Sequence, residues 1–321
     1  MAIANTTFYL LIKSARPRQW IKNAALYVTL FFTGFIFYDP VDAPAYFTTV
    51  SLAFIVFCFV TSSVYIFNDI IDKEADSHHP FKKRRPIASG ELPIPTAIFG
   101  VGVSLAVVLF LSLWLPLFFK LLVFAYLVLQ FLYAKYFKHI PILDVVSIGS
   151  GFLIRVYAGA VVVNLHLSVW LLLTVISASL FLAVGKRQSE RTLLAGKDDS
   201  IIGSTRKILK RYSQRLLDQY TSMFATATWL TYAIFTFQNE IITPDSNFLR
   251  VYSLLPKTLH TQKLLMLTLP FVILGVMRYL QLIYERNEGE SPERVILGDR
   301  PLLATVFLFT LISFLVIYVV G

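Results

Sequence analysis

Three aspartates with helical spacing lie at the end of a long apolar segment. The sequence reads NDIIDKEAD over residues 68–76, directly after a run of mostly apolar residues. If one helix continues through this segment, Asp69, Asp72 and Asp76 fall within an arc of about 60° on one face. Carboxylate oxygens suit magnesium, which usually binds through one or two carboxylates together with the phosphates of a substrate. The spacing therefore favours a magnesium site, although an isolated acidic run in a soluble protein is more often a solvated helix end.

A strongly basic segment follows at once. Residues 79–90 read HPFKKRRPIASG, so groups for a metal and groups for a phosphate lie side by side. Arginine binds an oxyanion through paired N–H groups, and lysine acts as a point charge. We expect part of the charge at residues 82–85 to bind phosphate and part to serve only membrane topology. His78 and His79 have no cysteine or further histidine at zinc-ligand spacing, so we interpret them as loop residues.

A second group of charges surrounds a predicted helix start. Lys135 and Lys138 precede Pro141, and Asp144 lies in the first turn of the helix that Pro141 opens, where an aspartate often only balances the helix dipole. Arg155 lies three turns further along the same face, roughly 16 Å deeper by helical rise. An arginine buried in lipid is costly, so Arg155 must face a polar interior. Two interpretations stay open: Arg155 contacts a substrate phosphate, or it pairs with an acid.

A third charged segment reads GKRQSER over residues 185–191. Lys186, Arg187 and Glu190 lie at the predicted end of an apolar helix, where we expect a functional role. The basic residues that follow, up to Arg215, are interpreted as facing anionic headgroups. The GDRP sequence at residues 298–301 is interpreted as a simple helix start with proline in its first turn.

Membrane-spanning helices must position these groups, because the chain is too apolar for a water-soluble domain. Of its 321 residues, 56% are hydrophobic and 15% are charged, which excludes disordered and collagenous classes. The single cysteine, Cys58, cannot form an internal disulfide. A helix needs about 20 apolar residues to cross a bilayer. We predict an all-α, polytopic membrane protein with nine transmembrane helices, at residues 24–38, 46–67, 97–115, 117–136, 142–163, 168–184, 220–237, 264–284 and 302–320.

The distribution of basic residues predicts the orientation. With the N-terminus inside, most of the 29 lysines and arginines lie in cytoplasmic segments, as the positive-inside rule requires, and the C-terminus lies outside. The first apolar run has no small-residue cleavage site after it, so we expect a retained helix. No linker divides the chain, which predicts one integral membrane domain over residues 1–321. The net charge of +10 on one membrane face suits anionic lipid or phosphorylated substrates better than nucleic acid.

The motifs resemble those of the UbiA superfamily of intramembrane prenyltransferases, whose members have nine transmembrane helices around a cytoplasm-facing cavity. Residues 68–76 match the first family motif, NDxxDxxxD. Ordinary members carry a second motif, DxxxD, where this sequence has only Asp144. In this altered second motif the sequence resembles the decaprenyl-phosphate phosphoribosyltransferase branch of the superfamily. The HPxKxxRPIASG-like stretch, the YxxxxKxxxxxD arrangement from Tyr133 to Asp144 and the GKR segment also fit this branch.

The resemblance implies transfer of 5-phosphoribose from 5-phosphoribosyl-1-pyrophosphate (PRPP) to a polyprenyl phosphate in the cell membrane, with release of diphosphate. It implies magnesium held by Asp69, Asp72 and Asp76 with Asn68, and it implies a homo-oligomer. Lys82, Lys83 and Arg85 are implied to bind the PRPP phosphates. The remaining residues implied for the pocket are Tyr133, Lys138, Asp144, Arg155, Lys186 and Arg187, with Asp144 counted among the catalytic group.

Two other functions stay open at this stage. A prenyltransferase of the same superfamily would use an isoprenyl diphosphate as donor for an aromatic or lipid acceptor, and it would share the first motif. A transporter would use intramembrane Arg155 and the inner-face charges as an ion path. The acids gather at one face rather than at mid-membrane, which disfavours the transporter.

Overall fold

The computed structural model describes residues 2–78, 82–194, 211–238, 263–286 and 292–320. Within these ranges the chain forms helices and turns without a strand, which confirms the predicted all-α class. His79 and the basic residues at 195–210 lie outside the described ranges.

Within the described residues, six α-helices precede residue 140 and six follow it. The first six are α1 (Ala2–Ala15), α2 (Tyr27–Phe32), α3 (Tyr46–Ile71), α4 (Lys73–Ser77), α5 (Ile94–Ser112) and α6 (Leu117–Lys135). The others are α7 (Leu143–Val162), α8 (Val169–Leu194), α9 (Gln214–Gln238), α10 (Leu269–Arg286), α11 (Pro292–Gly298) and α12 (Arg300–Phe314). Short 3-10 helices cover Pro17–Leu26, Lys82–Arg84, Phe137–His139 and Leu264–Thr268, and a π-helical stretch, Leu315–Val320, extends α12.

Seven stretches of the described helices are long and apolar enough to cross a membrane, so the chain is a multi-pass membrane protein. They correspond to seven of the nine predicted spans. The stretches are Tyr46–Ile71, Ile94–Ser112, Leu117–Lys135, Leu143–Val162, Val169–Arg191, Leu264–Glu285 and Arg300–Val319. The predicted break between the third and fourth spans is confirmed, because α5 ends at Ser112 and α6 begins directly after Pro116.

Two predicted spans differ from these seven. The first, residues 24–38, is divided between the Pro17–Leu26 3-10 helix, the short α2 and a turn at Gly34, where the left-handed φ of 80° ends the helix. The seventh falls in α9, which has 25 residues but begins with a polar turn. The count of nine spans therefore stays a prediction.

The chain divides into two compact units. The first contains Met1–Leu30, Phe35–His166 and Lys197–Arg211. Aromatic packing fills its core, where the ring of Phe57 lies 5.9 Å from that of Phe119 and 5.6 Å from that of Tyr126. A smaller apolar cluster joins Leu10 of α1 to Ile66 of α3 and to Ile87, Leu92 and Ala97. This cluster attaches the N-terminal helix beside the acidic motif.

The second unit contains Phe31–Gly34, Leu167–Gly196 and Tyr212–Gly321. Its core is formed where α8 and α9 pack against α10, around Phe181, Tyr279 and Ile283. The prediction of one integral membrane domain over the whole chain stays a prediction.

Gly159 of α7 allows a very close backbone approach in the first unit. A Cβ atom at this position would lie 1.9 Å from the carbonyl oxygen of Leu26 and 2.6 Å from its carbonyl carbon. Backbone atoms cannot rotate away as a side chain can, so only glycine allows α7 to contact the Pro17–Leu26 3-10 helix. This contact fixes the Pro17–Leu26 helix, which directly follows Arg16.

We predict that Gly159→Ala destabilises the fold by about 3 kcal/mol or more, because overpacked helices must separate. Thermal unfolding in detergent, followed by tryptophan fluorescence, measures the effect. Gly102→Ala in α5 is the matched control, since a Cβ there meets nothing within 4 Å and alanine is the better helix former by about 1 kcal/mol. Equal melting temperatures for the two variants would contradict the close approach.

Candidate functional site

The acidic motif lies at the junction of α3 and α4. Asp72 leaves helical geometry, with φ −89° and ψ 7°, so α3 ends at Ile71 and α4 begins at Lys73. The hydrogen bonds nevertheless continue, from the N–H of Asp72 to Asn68 and from the N–H of Asp76 to Asp72. The motif therefore keeps helical spacing through a slight break at Asp72.

Arg85 joins Asp69 and Asp76. Its Nη1 atom lies 3.0 Å from Oδ1 of Asp69 and 2.5 Å from Oδ2 of Asp76. The two aspartates are only 3% and 4% exposed. Two buried carboxylates in this proximity repel each other, and a shared guanidinium offsets both the repulsion and the loss of water. Arg85 of the basic segment therefore contacts the acidic motif directly, an ion pair that the sequence pattern did not predict.

Lysines complete the charge compensation. Lys138, in the 3-10 helix after α6, donates to Oδ1 of Asp72 at 2.5 Å. Lys82 lies 4.0 Å from Oδ1 of Asp76. Lys83 and Arg84 are exposed, in keeping with the expectation that part of this segment serves topology only.

Arg16 is a site residue that the sequence analysis missed. Its Nη2 atom lies 2.5 Å from Oδ1 of Asp69, and its guanidinium lies 5.0 Å from the ring centre of Tyr65. In the sequence it is one of several basic residues before the first apolar run, and those residues were interpreted as topology signals only. No spacing rule connects residues that are 53 positions apart.

Asp144 lies where the sequence placed it, in the first turn of α7, and it is completely buried. The residue that caps this helix, Ile142, has a left-handed φ of 73°. A β-branched side chain rarely adopts that conformation, so the surrounding structure holds the turn against strain. Tyr133 is half-buried near the end of α6, which the short 3-10 helix of Lys138 connects to α7.

Arg155 is buried in the first unit, but no carboxylate of the described residues contacts it. Its Nε donates to Oδ1 of Asn23 at 2.9 Å, Nη1 to the carbonyl of Gly151 at 2.9 Å and Nη2 to the hydroxyl of Tyr126 at 2.7 Å. The Tyr126 ring also lies 4.8 Å from the guanidinium carbon. The interpretation that Arg155 pairs with an acid is therefore wrong. Neutral acceptors and a ring face hold the cation and tie three helical segments together.

The side-chain oxygens at the junction of α3 and α4 suit a magnesium ion. Both guanidinium contacts to Asp69 fall on Oδ1, so Oδ2 accepts no hydrogen bond from the described residues. The Oδ1 atom of Asn68 is buried and also lacks a donor. In the described part of the chain, no three histidine, cysteine or acidic side chains converge as a complete metal centre. Magnesium needs only one or two carboxylates when a substrate supplies phosphate oxygens, so Asp69, Asp76 and Asn68 fit it.

Lys186 and Arg187 lie in the second unit, inside α8. The predicted helix end at Val184 is wrong, since α8 continues to Leu194. Gly185 does not end the helix; it makes room for Ile283, whose Cδ1 would lie 2.7 Å from an added Cβ. Arg187 is buried and pairs with Glu190 one turn away. Glu190 therefore compensates the charge of Arg187 within the same helix.

Polar contacts link α8, α9 and α10 in the same unit. Asp218 accepts hydrogen bonds from Gln188 at 3.0 Å and from the hydroxyl of Tyr284 at 2.9 Å. The predicted simple helix start at residues 298–301 is confirmed, because Asp299 caps α12 by accepting from the N–H of Leu302 at 3.1 Å. Arg278 holds the same carboxylate through two hydrogen bonds.

Comparison with known proteins identifies the family. The sequence model of the UbiA prenyltransferase family matches residues 25–296. The chain belongs to this family. It is 37% identical to the decaprenyl-phosphate phosphoribosyltransferase of Mycolicibacterium smegmatis, over 91% of this chain and 87% of that protein. It is 32% identical to the protein of the same name from Corynebacterium glutamicum, over 94% of this chain and 85% of that protein.

Solved structures agree with the family fold. A UbiA homolog from Archaeoglobus fulgidus bound to GPP and Mg2+ superimposes with a TM-score of 0.66 at 19% identity, covering 96% of this chain and 99% of that one. The same homolog bound to DMAPP and Mg2+ gives a TM-score of 0.63 at 17% identity, covering 96% of this chain and 98% of that one. At these identities the likeness establishes the fold alone.

We predict that Arg155→Gln in this UbiA family member lowers the melting temperature in detergent by several degrees. The change leaves buried acceptors unpaired, each of which costs about 1–3 kcal/mol. Arg84→Gln, at an exposed position, is the matched control and should melt like the wild type. If Arg155→Gln leaves the stability unchanged but abolishes diphosphate binding, Arg155 has a role in substrate binding instead.

Proposed function

We propose that this protein transfers 5-phosphoribose from PRPP to a polyprenyl phosphate and releases diphosphate, with magnesium as the metal. The names of its relatives support the reaction, because two decaprenyl-phosphate phosphoribosyltransferases match over most of their length. The observation that carries the proposal is the shared contact of Arg85 with Asp69 and Asp76. It supports the proposal because carboxylates suited to a metal and a guanidinium suited to a phosphate meet there, and a diphosphate leaving group requires both.

The chemistry reduces to positioning and charge. The bond between C1 of the ribose and the diphosphate breaks with its electron pair leaving on the diphosphate oxygen, while an oxygen of the lipid phosphate forms the new bond to C1 from the opposite face. A phosphate monoester is already anionic near neutral pH, so no protein nucleophile or base is needed. Magnesium held by Asp69, Asp76 and Asn68, with Asp72 nearby, would neutralise the departing charge.

The cations have separate parts in this proposal. Arg85 and Lys82 lie against the metal-binding carboxylates and bind the diphosphate, with Lys83 at the exposed edge of the same segment. Lys138, together with Tyr133 and Asp144, lines the neighbouring part of the pocket, and it orients Asp72. Arg155, Lys186 and Arg187 stay sequence-based candidates for substrate binding.

An apolar cleft suits the first part of the isoprenoid chain. It has a volume of about 250 Å³ and lies between α3, α5 and α6, with Val64, Phe67, Leu127 and Phe131 in its lining. Phe67 directly precedes Asn68, so the cleft begins beside the acidic motif. An isoprenoid tail needs only apolar surface that opens to the bilayer.

A second candidate reaction is transfer of an isoprenyl group from its diphosphate to an aromatic or lipid acceptor. The structures of the Archaeoglobus fulgidus homolog with GPP or DMAPP and Mg2+ favour it. The transporter alternative loses its main support, because Arg155 is held by neutral groups rather than by acids along an ion path.

We predict that purified protein transfers label from radioactive PRPP to polyprenyl phosphate. Asp72→Asn should abolish the transfer, because the site loses the carboxylate that Lys138 contacts beside the proposed metal. Isoprenyl diphosphates are offered in parallel and the lipid products are resolved by mass. Glu74→Gln, two residues away and exposed, is the matched control and should retain activity. Isoprenylated products in place of phosphoribosyl lipid would select the second candidate; near wild-type activity of Asp72→Asn would show that this carboxylate has no part in the reaction.

We further propose that the protein lies in the cell membrane with its N-terminus and site cytoplasmic and its C-terminus outside, that its inner face binds anionic lipid, and that it forms a homo-oligomer. The basic residues concentrated in predicted inner segments support the orientation and the lipid binding. The homo-oligomer rests on the resemblance to the family alone.

The orientation predicts which engineered cysteines react in intact cells. In a Cys58→Ala background, Ser246→Cys should react with a membrane-impermeant maleimide, whereas Ser204→Cys should react only after the cells are opened. Cys58 is the only native cysteine and is buried, so the background is clean. Ready labelling of Ser204→Cys from outside would overturn the orientation.

A further inference from the structure

The backbone at Arg16 is held in an unusual conformation. Arg16 has φ 54° and ψ 61°, a left-handed geometry that residues other than glycine seldom adopt, and Pro17 follows it. Both flanks are anchored by Ser62 of α3, whose hydroxyl donates to the carbonyl of Ala15 at 3.2 Å and accepts from Nε1 of Trp20 at 3.0 Å. These two contacts bring Arg16 to the end of α3, and strained geometry of this kind gathers at functional sites.

The Arg16 side chain has donors to spare. A guanidinium carries five N–H groups, and among the described residues Arg16 donates only from Nη2, to Oδ1 of Asp69. Its side chain is 29% exposed, whereas that of Asp69 is 4% exposed. The cation can therefore move more easily than the carboxylate, and it can form further hydrogen bonds when it does.

Asp69 already receives two cationic partners before any ligand binds. Arg16 and Arg85 both contact its Oδ1 atom. A divalent cation at the same carboxylate would repel both guanidiniums, since like charges at contact distance are strongly unfavourable in a partly buried site. A diphosphate that arrives with the cation supplies new acceptors for the displaced guanidiniums.

We propose that Arg16 is a placeholder cation that moves from Asp69 to the diphosphate of the donor when the metal binds. The inference rests on the proposed function for its metal and diphosphate, and it assigns to the N-terminal arm a part in binding them. Metal alone must displace Arg16 without compensation, whereas metal with diphosphate gains a new partner for it. The site therefore binds metal and diphosphate as a unit and holds bare metal poorly.

The test measures binding of Mn2+ by electron paramagnetic resonance, with and without inorganic diphosphate, in wild type, Arg16→Gly, Arg16→Lys and Arg18→Ala. Glycine removes the guanidinium and adopts the positive φ without strain, so the fold is preserved. Arg18→Ala is the matched control, because Arg18 is exposed on the same segment. The melting temperature of each variant is recorded as a measure of folding.

The two binding constants should shift in opposite directions. Arg16→Gly should bind Mn2+ alone about fivefold more tightly, as expected when a competing part-exposed ion pair is removed. It should bind the Mn2+–diphosphate complex about tenfold more weakly, because a charge-assisted hydrogen bond is lost. Arg16→Lys should fall between wild type and Arg16→Gly for the complex, and Arg18→Ala should match wild type.

Weakening of both constants would mean that Arg16 only supports Asp69, and unchanged constants would mean that it has no part in binding; either result overturns the proposal. Inorganic diphosphate is common to PRPP and isoprenyl diphosphates, so the result does not depend on which donor the enzyme uses. Opposite shifts in a protein that fails to use PRPP would reject the proposed function alone. Active phosphoribosyl transfer with parallel shifts would reject the placeholder alone.

Discussion

The contact of one guanidinium with two buried carboxylates organises the end of α3. Asp69 and Asp76 are almost inaccessible to water, and without Arg85 their charges would face each other across a few ångströms. Breaking a buried ion pair by removing one partner costs about 3–5 kcal/mol, because the remaining charge is left uncompensated. The position of Arg85 after the short Lys82–Arg84 3-10 helix follows from this constraint, since its guanidinium must reach the aspartates that precede it.

Apolar packing then determines where the charges lie. Ile87 and Leu92, just after Arg85, are buried with Ile66 of α3 and Leu10 of α1. The same cluster therefore holds the basic segment and the N-terminal helix against the acidic motif. Burial of each such side chain contributes about 1.5–3 kcal/mol, which stabilises a site whose charges alone do little more than offset their own desolvation. Ser62 adds the specific hydrogen bonds that bring Arg16 to Asp69.

The sequence predicted those features that depend on local pattern. Hydropathy located α3, α5, α6 and α7 closely, because a bilayer requires long apolar helices. The motifs placed acidic and basic groups side by side but did not predict that Arg85 pairs with Asp69 and Asp76. The sequence missed Arg16, since only tertiary packing brings that residue to Asp69. It ended the sixth span at Val184, directly before Gly185, because the pattern does not distinguish a glycine that ends a helix from one that receives Ile283. It also offered Arg155 only charged partners, whereas amide, carbonyl and hydroxyl oxygens satisfy a buried guanidinium equally well.

The balance of charge at the site bears on the choice between donors. Among the described residues, four cations contact the three aspartates of the motif before a divalent metal adds its own charge: Arg16, Lys82, Arg85 and Lys138. Partly buried positive charge requires anionic partners. An isoprenyl diphosphate with a neutral aromatic acceptor supplies one anionic group, whereas PRPP with a polyprenyl phosphate supplies a diphosphate, a 5-phosphate and a lipid phosphate. The surplus of cations therefore favours a reaction in which donor and acceptor both carry phosphate.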